Sequence, residues 1–409
     1  MKRIERIRLY PTERQTRALA FRLGVTRELY NALLQERRDA YRLRAISITS
    51  AMQYAELTAL RAEDRRIAAV YRECEDAVVH RLDLAMAAFF RRCKRGESPG
   101  FPRFKSAARW QQLAFPHGDR ALRLNDTQTR VRVPGVGAVK LRKGRTVPET
   151  FGRAWLVRRL DRWYACFECK RAAIPLLTTG SMVGVDRGVH VLAALSDGRL
   201  IPNAAVGERR RVATARLQRE LEAATKRDAR GCVTNRPDHR RIEAAQRLAR
   251  AREREANARR DYAHKVARQI VNAADVIALE KLRIRSMTRS AKGTIDRPGR
   301  HVRAKAALNR VILDSGFALL RQMIVAKAEE AARTVVEVDA SFSSRTCSRC
   351  GHVAKESRRR RRFACVACRY ATHADVNAAL VIRRRAQLAL TSELDPAEDA
   401  GRSDQDAAA

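Results

Sequence analysis

The chain has 409 residues, with 85 Lys and Arg against 45 Asp and Glu, a formal net charge of +40 and 45% hydrophobic residues. That length allows two to four domains with a real core, and a charge of that size repels itself unless a polyanion neutralises it, nucleic acid being the commonest. No apolar run approaches the ~20 residues of a bilayer span, and the N-terminal MKRIERIRLYPTERQ lacks an apolar signal core, which argues against membrane and exported proteins. Nine cysteines, an odd number, fit a reducing cytoplasm, and a bacterial, nucleoid-associated protein is expected.

Residues 2–10, KRIERIRLY, read as a short strand ended by Pro11. Thr12 and Gln15 have capping-box spacing and open a helix. From there to about residue 93 nearly everything is helical. Leu19, Leu23, Leu29, Leu33 and Leu34 trace one apolar stripe, and Val78, Leu82, Met86, Phe89 and Phe90 trace another; both read as the core of a small basic helical domain. Residues 94–110, KRGESPGFPRFKSAARW, break the helix and interleave aromatics with basic residues. Phe101, Arg103, Phe104 and Lys105 are therefore candidate nucleic-acid contacts through base stacking and phosphate pairing, although a loop covering a core edge accounts for them equally well. Short strands follow at 122–124, 131–133, 139–141, 155–157 and 163–167. With the N-terminal strand they suggest a small β-barrel, split in sequence by the helical insert. Cys166 and Cys169 lie three apart on the last of these strands, where side chains face opposite ways, so they make a poor metal pair. Cys74, Cys93 and Cys232 are isolated and read as structural.

Residues 182–201, MVGVDRGVHVLAALSDGRLI, place Asp186 in an apolar strand and end in an Asp197-Gly198 hairpin turn. An acid inside a buried strand is costly unless it is paired or binds a cation. The next comes at Glu280, closing the strand Val276–Leu279; the third is Asp375, where HADVNAALVI starts a helix. The spacings are 280 − 186 = 94 and 375 − 280 = 95 residues, no obstacle if parallel strands bring their ends together. A helix cap or a surface turn would explain Asp375 alone, but not three such acids. Three carboxylates without a Ser or His nucleophile suit two Mg2+ ions about 3.5–4 Å apart in phosphodiester cleavage, with Mn2+ as a substitute. Between the first two acids, residues 207–264 form a basic helical hairpin, too polar for a core and suited to lie along a nucleic-acid duplex.

Just before Asp375, Cys347/Cys350 and Cys365/Cys368 form two Cys-x-x-Cys pairs separated by fourteen residues. That spacing is close to a four-thiolate Zn2+ ribbon, with Gly351 suited to the knuckle turn.

VGVDRGV, IALEKLRIRSM, SSRTCSRCGHVAKESRRRRRFACVAC and HADVNAA resemble, in order and spacing, the signature segments of TnpB, the insertion-sequence-encoded RNA-guided DNA endonuclease related to type V CRISPR effectors. The similarity extends through IRLYPTERQ, GFPRFK and RRDYAHKVARQIV, covering about residues 1–385. It implies an α/β multi-domain chain: a wedge β-barrel (1–12 and 95–177) interrupted by a helical recognition domain (13–94), a RuvC-like nuclease of RNase H fold (178–344 and 370–385) and a zinc ribbon (345–369). Asp186, Glu280 and Asp375 would be the Mg2+ ligands, and guide RNA and double-stranded target DNA the partners, with the protein reading a short flanking motif while pairing reads the sequence. A monomer is expected. Arg187, Lys281 and the run Arg358–Arg362 depart from the family pattern without removing a ligand, and Arg187 and Lys281 stand where they would shift metal affinity. The tail, residues 386–409, is expected to be disordered. A repressor that binds without cutting, an accessory transposase protein, or a transposase that joins DNA itself are the alternatives; the intact Asp-Glu-Asp set argues against the first, and the lack of a His-x-His plus Tyr arrangement against the last.

Overall fold

The computed structural model describes residues 2–144, 147–148, 150–227, 233, 238–294 and 297–394. Cys232, most of the Gly231–Pro237 break and the tail beyond residue 394 lie outside the described residues. The chain divides into two compact units, Met1–Arg171 and Ala172–Ala409.

The first unit opens with β1 (Lys2–Tyr10), whose Ile7 and Leu9 are buried. The expected capping box is present: Thr12 Oγ1 accepts the Gln15 N–H at 3.3 Å and Gln15 Oε1 accepts the Thr12 N–H at 3.0 Å. It starts α1 (Glu13–Arg44), followed by α2 (Ser50–Glu63), the short α3 (Arg65–Ala68) and α4 (Arg72–Lys94). The first leucine stripe is wholly buried. The second is core only at Val78 and Leu82; Met86 and Phe89 are half-buried and Phe90 is 54% exposed. The end of α4 is covered by the loop after it, Phe89 meeting Phe101 edge-on at 5.3 Å, instead of by another helix.

After this insert come β2 (Gln112–Phe115), the short α5 (Gly118–Ala121), β3 (Arg123–Leu124), β4 (Arg130–Val133), β5 (Gly137–Leu141), β6 (Ala154–Arg159) and β7 (Arg162–Lys170). They form one antiparallel sheet in the order β2-β6-β7-β1-β5-β4-β3. β1 pairs with β7 from Lys2↔Lys170 to Leu9↔Trp163, so the strand ahead of the insert does rejoin those behind it. The expected barrel is not closed: among the described residues no ladder joins β3 to β2. These outer strands are two and four residues long and, among the described residues, pair only with β4 and β6.

Within the helical insert Glu75 is fully buried, with Arg61 Nη1 2.6 Å from its Oε2. Burial pushes its carboxyl up to about 7, against the opposing pull of Arg61. An acid with a raised folded pKa keeps its proton longer when folded, so its contribution favours folding at low pH and erodes as pH rises from 4.5 towards 7. Glu75→Gln should flatten that part of the stability profile, measured as Tm against pH; parallel profiles for the two proteins would refute it.

The second unit is built on β8 (Met182–Asp186), β9 (Val191–Leu195), β10 (Leu200–Pro202), β11 (Val276–Glu280) and β12 (Thr334–Val338), in the order β10-β9-β8-β11-β12. β8, β9 and β10 form an antiparallel meander, and the turn before β10 is the expected Asp197-Gly198, with Gly198 at φ +94°. β11 runs parallel to both β8 and β12. α6 (Val206–Ala223) and α7 (His239–Val271) lie between β10 and β11 in sequence; the short α8 (Ile284–Met287), α9 (Val302–Ser315) and α10 (Phe317–Glu330) lie between β11 and β12. α6 buries no residue, in keeping with a helix too polar for a core.

β11 alternates faces as a strand must. Ile277 and Leu279 pack with Val266 and Ile270 of α7 and Leu320 and Ile324 of α10. Ala278 packs with Ile382 and Ala386 of the final helix, α11 (Ala374–Leu394). α11 extends past residue 385, where the tail was expected to begin: Ala386 is fully buried against the sheet, while Leu388, beyond it, is 62% exposed. Gly184 sets the contact beneath it, since a Cβ there would lie 2.0 Å from the Ala379 carbonyl oxygen. Only glycine lets the helix backbone rest directly on β8. Ahead of α11, β13 (Arg358–Arg359), β14 (Arg362–Ala364) and β15 (Ala371–His373) form a small antiparallel sheet. No helix among the described residues is long and apolar enough to cross a membrane.

Candidate active site and thiol cluster

The register of β8 against β11 pairs Val185 with Leu279, so Asp186 and Glu280 stand side by side at the C-terminal ends of neighbouring parallel strands. Asp375 enters from the first turn of α11, the helix seated on β8 through Gly184. The three acids, some 95 residues apart in sequence, therefore meet at one sheet end. Burial, then repulsion from Glu280 and Asp375, pushes the Asp186 carboxyl up to about 8, with Arg358 and Arg187 pulling the other way. The Glu280 carboxyl is also raised, by burial. This is an anionic cluster that the protein's own cations leave under-neutralised, and its hard oxygen donors suit divalent cations of the Mg2+ type.

Two arginines complete it. Arg187, with a side chain 1% exposed, gives its backbone N–H to Glu280 Oε1 at 3.1 Å. Its guanidinium bonds the carbonyls of Glu280 and of Phe317, and its Nε lies 3.8 Å from Glu280 Oε1. Arg358 on β13 donates to Asp375 Oδ1 at 2.9 Å. In sequence, Arg187 stood out only as a departure and Arg358 only as part of a charge run; neither its spacing nor its neighbours announced a partner.

The four expected cysteines converge, with Sγ atoms all within 4.8 Å of one another. Cys347 and Cys368 sulfurs are 3.7 Å apart, Cys350 and Cys365 sulfurs 3.6 Å. The edge of a tetrahedron with Zn–S near 2.3 Å is about 3.8 Å, so these four thiols fit one Zn2+. Backbone N–H bonding, chiefly from Cys368, draws the Cys365 thiol down, while, against the pull of the His352 backbone, bonding to the neighbouring sulfurs pushes the Cys350 thiol up, the pattern of four thiols crowded together. Gly351, at φ +79°, makes the first knuckle turn.

The loop candidates divide. Phe101, Arg103 and Phe104 are exposed, and Arg38 lies over the Phe104 ring at 5.2 Å. Lys105 is turned inward: its backbone is bonded to the Asn31 side chain at 2.7 and 3.1 Å and its Nζ sits 5.5 Å from the Tyr30 ring. Trp110 is core, donating to Thr26 Oγ1 at 2.9 Å.

Family models match in three places: a Cas12f1-like TNB domain over residues 317–382, an IS605 OrfB "probable transposase" over 165–291, and an OrfB helix-turn-helix domain over 1–45. Here residues 2–44 are one strand and one uninterrupted helix. The chain is 33% identical over 300 residues to the Escherichia coli K12 protein named "Putative RNA-guided DNA endonuclease InsQ", covering 73% of this chain and 70% of that one. A Streptomyces pristinaespiralis protein, "Putative RNA-guided DNA endonuclease", is 27% identical over 368 residues, covering 86% and 81%. Among solved structures, a Cas12f1-sgRNA-target DNA complex matches with a TM-score of 0.55 at 12% identity, covering 94% of this chain and 98% of that one, a likeness of fold. The class defined is thus the α/β multi-domain transposon proteins that share a fold with small CRISPR effectors. Within it, the chain belongs to the TnpB family.

Proposed function

We propose that this protein is an RNA-guided DNA endonuclease of a transposable element. The observation that carries this reading is the convergence of Asp186, Glu280 and Asp375 at one sheet end in a chain of this family. The meander followed by two parallel strands supports reading the second unit as an RNase H-like, RuvC-type nuclease, and the helical insert in the open sheet of the first unit would serve as its recognition part. Asp186, Glu280 and Asp375 would hold two Mg2+ ions, and Cys347, Cys350, Cys365 and Cys368 one structural Zn2+. Bound there, the Mg2+ pair supplies activated water and charge stabilisation at the leaving oxygen.

The chain's own residues do the rest. Arg187 fixes the orientation of Glu280 from behind, and Arg358 holds Asp375 from the thiol-bearing module. The surplus of basic residues neutralises the phosphates of a guide RNA and its heteroduplex with target DNA. The hairpin of α6 and α7 offers a basic surface for a duplex, and Phe101, Arg103 and Phe104 a stacking and phosphate contact, with Lys105 supporting their loop from inside.

The protein purified from cells carrying its transposon should bring down a discrete RNA. With it, the protein should linearise a plasmid holding a guide-matched site beside the flanking motif, in Mg2+ and not in EDTA. An RNA-free preparation, or cleavage that survives EDTA, would defeat the reading; binding without cutting would instead favour the repressor.

A further inference from the structure

Asn377 sits two residues after Asp375 on α11 and is fully buried. Its amide makes two bonds to the first cysteine knuckle: Nδ2 donates to the Thr346 carbonyl at 2.7 Å, and Oδ1 accepts the Ser348 N–H at 3.0 Å. Those backbone groups flank Cys347. The second half of the module reaches the same turn of α11, through the Ala374 N–H to the Arg361 carbonyl at 2.8 Å and Arg358 to Asp375. A side chain that donates and accepts at once, at this length, is asparagine; leucine has similar volume and neither bond. A buried amide bonded on both sides is costly to break on either, so knuckle and helix turn move together.

We infer that Asn377 is a positioning residue that couples the four-thiolate site to Asp375, so that metal held by the cysteines fixes where the third carboxylate stands. The inference rests on the metal reading above. Its test uses full-length protein with its RNA, comparing wild type, Asn377→Leu and, as a control, Gln53→Leu, which removes a comparably buried amide in the first unit.

Two readouts are taken. Co2+ replacing Zn2+ reports the thiolate site by its absorption bands, and a Mn2+ titration followed by electron paramagnetic resonance reports the carboxylates. Asn377→Leu should keep the four-thiolate spectrum yet bind Mn2+ about tenfold more weakly, the scale on which supporting residues act. Coupling is reciprocal, so saturating Mg2+ should tighten zinc binding in wild type and not in Asn377→Leu, read by equilibrium competition with a chromogenic chelator. The control should change neither. A purely structural Asn377 would lower Tm and leave both unmoved, overturning the inference; if Asn377→Leu does not fold, Asn377→Ser is read in the same way. Wild type that binds no Mn2+ at the acids, checked against Asp186→Asn, overturns the metal reading and the inference with it; wild type that binds, beside an unchanged Asn377→Leu, overturns the coupling alone.

Discussion

Asp186→Asn should reduce cleavage by about three orders of magnitude or more, equivalent to about 4 kcal/mol of transition-state stabilisation, while leaving guide RNA binding intact. Asparagine keeps the shape and removes the charge. Since Asp186 lies among Glu280 and Asp375, whose repulsion helps raise its carboxyl to about 8, losing that charge relieves the metal-free fold. In chelator the variant should therefore melt above wild type, most clearly at alkaline pH where the native carboxyl is ionised. Inactivity with raised stability is a pair of results that misfolding cannot produce. Single-turnover cleavage and calorimetry on the same preparations check it, and cleavage at the wild-type rate would remove Asp186 from the active site.

Cys365→Ser should have the largest effect on stability. Structural zinc in small domains contributes about 10–16 kcal/mol of apparent binding energy. If about a third of that is lost, near 4 kcal/mol, the second unit's Tm should fall by about 10 °C. Metal analysis should show zinc falling below one per chain. A variant that keeps its zinc and its Tm would show that Cys365 is no ligand, despite a sulfur 3.6 Å from that of Cys350.

What the sequence made legible follows from range. The capping box at Thr12, the Asp197-Gly198 turn and the cysteine knuckles are encoded within a few residues, and each stands where its spacing placed it. Asp186 and Glu280 were legible for another reason, a carboxylate in an apolar strand being conspicuous wherever its partners lie, whereas Asp375, in the first turn of a helix, drew notice only beside the other two. What escaped depends on distant neighbours. Lys105 looks like a phosphate contact until Tyr30 and Asn31 are placed beside it, and Phe90 looks like core until α4 is seen to end beside a loop. The same holds for Asn377, an ordinary polar residue in HADVNAA whose two bonds lead back to residues 346 and 348. A barrel also cannot be inferred from strand count, since closure depends on whether the outermost strands meet, and β3 and β2 stand at opposite ends of the sheet order.

The seating of α11 on Gly184 bears on the order of synthesis. A ribosome delivers β8 and β11, with Asp186 and Glu280, well before it delivers the helix that brings Asp375. Until that helix has emerged and settled onto bare strand backbone, the centre has two acids of three. On the reading proposed above, the nuclease is therefore incomplete until α11 has docked on β8 and brought Asp375 to Asp186 and Glu280.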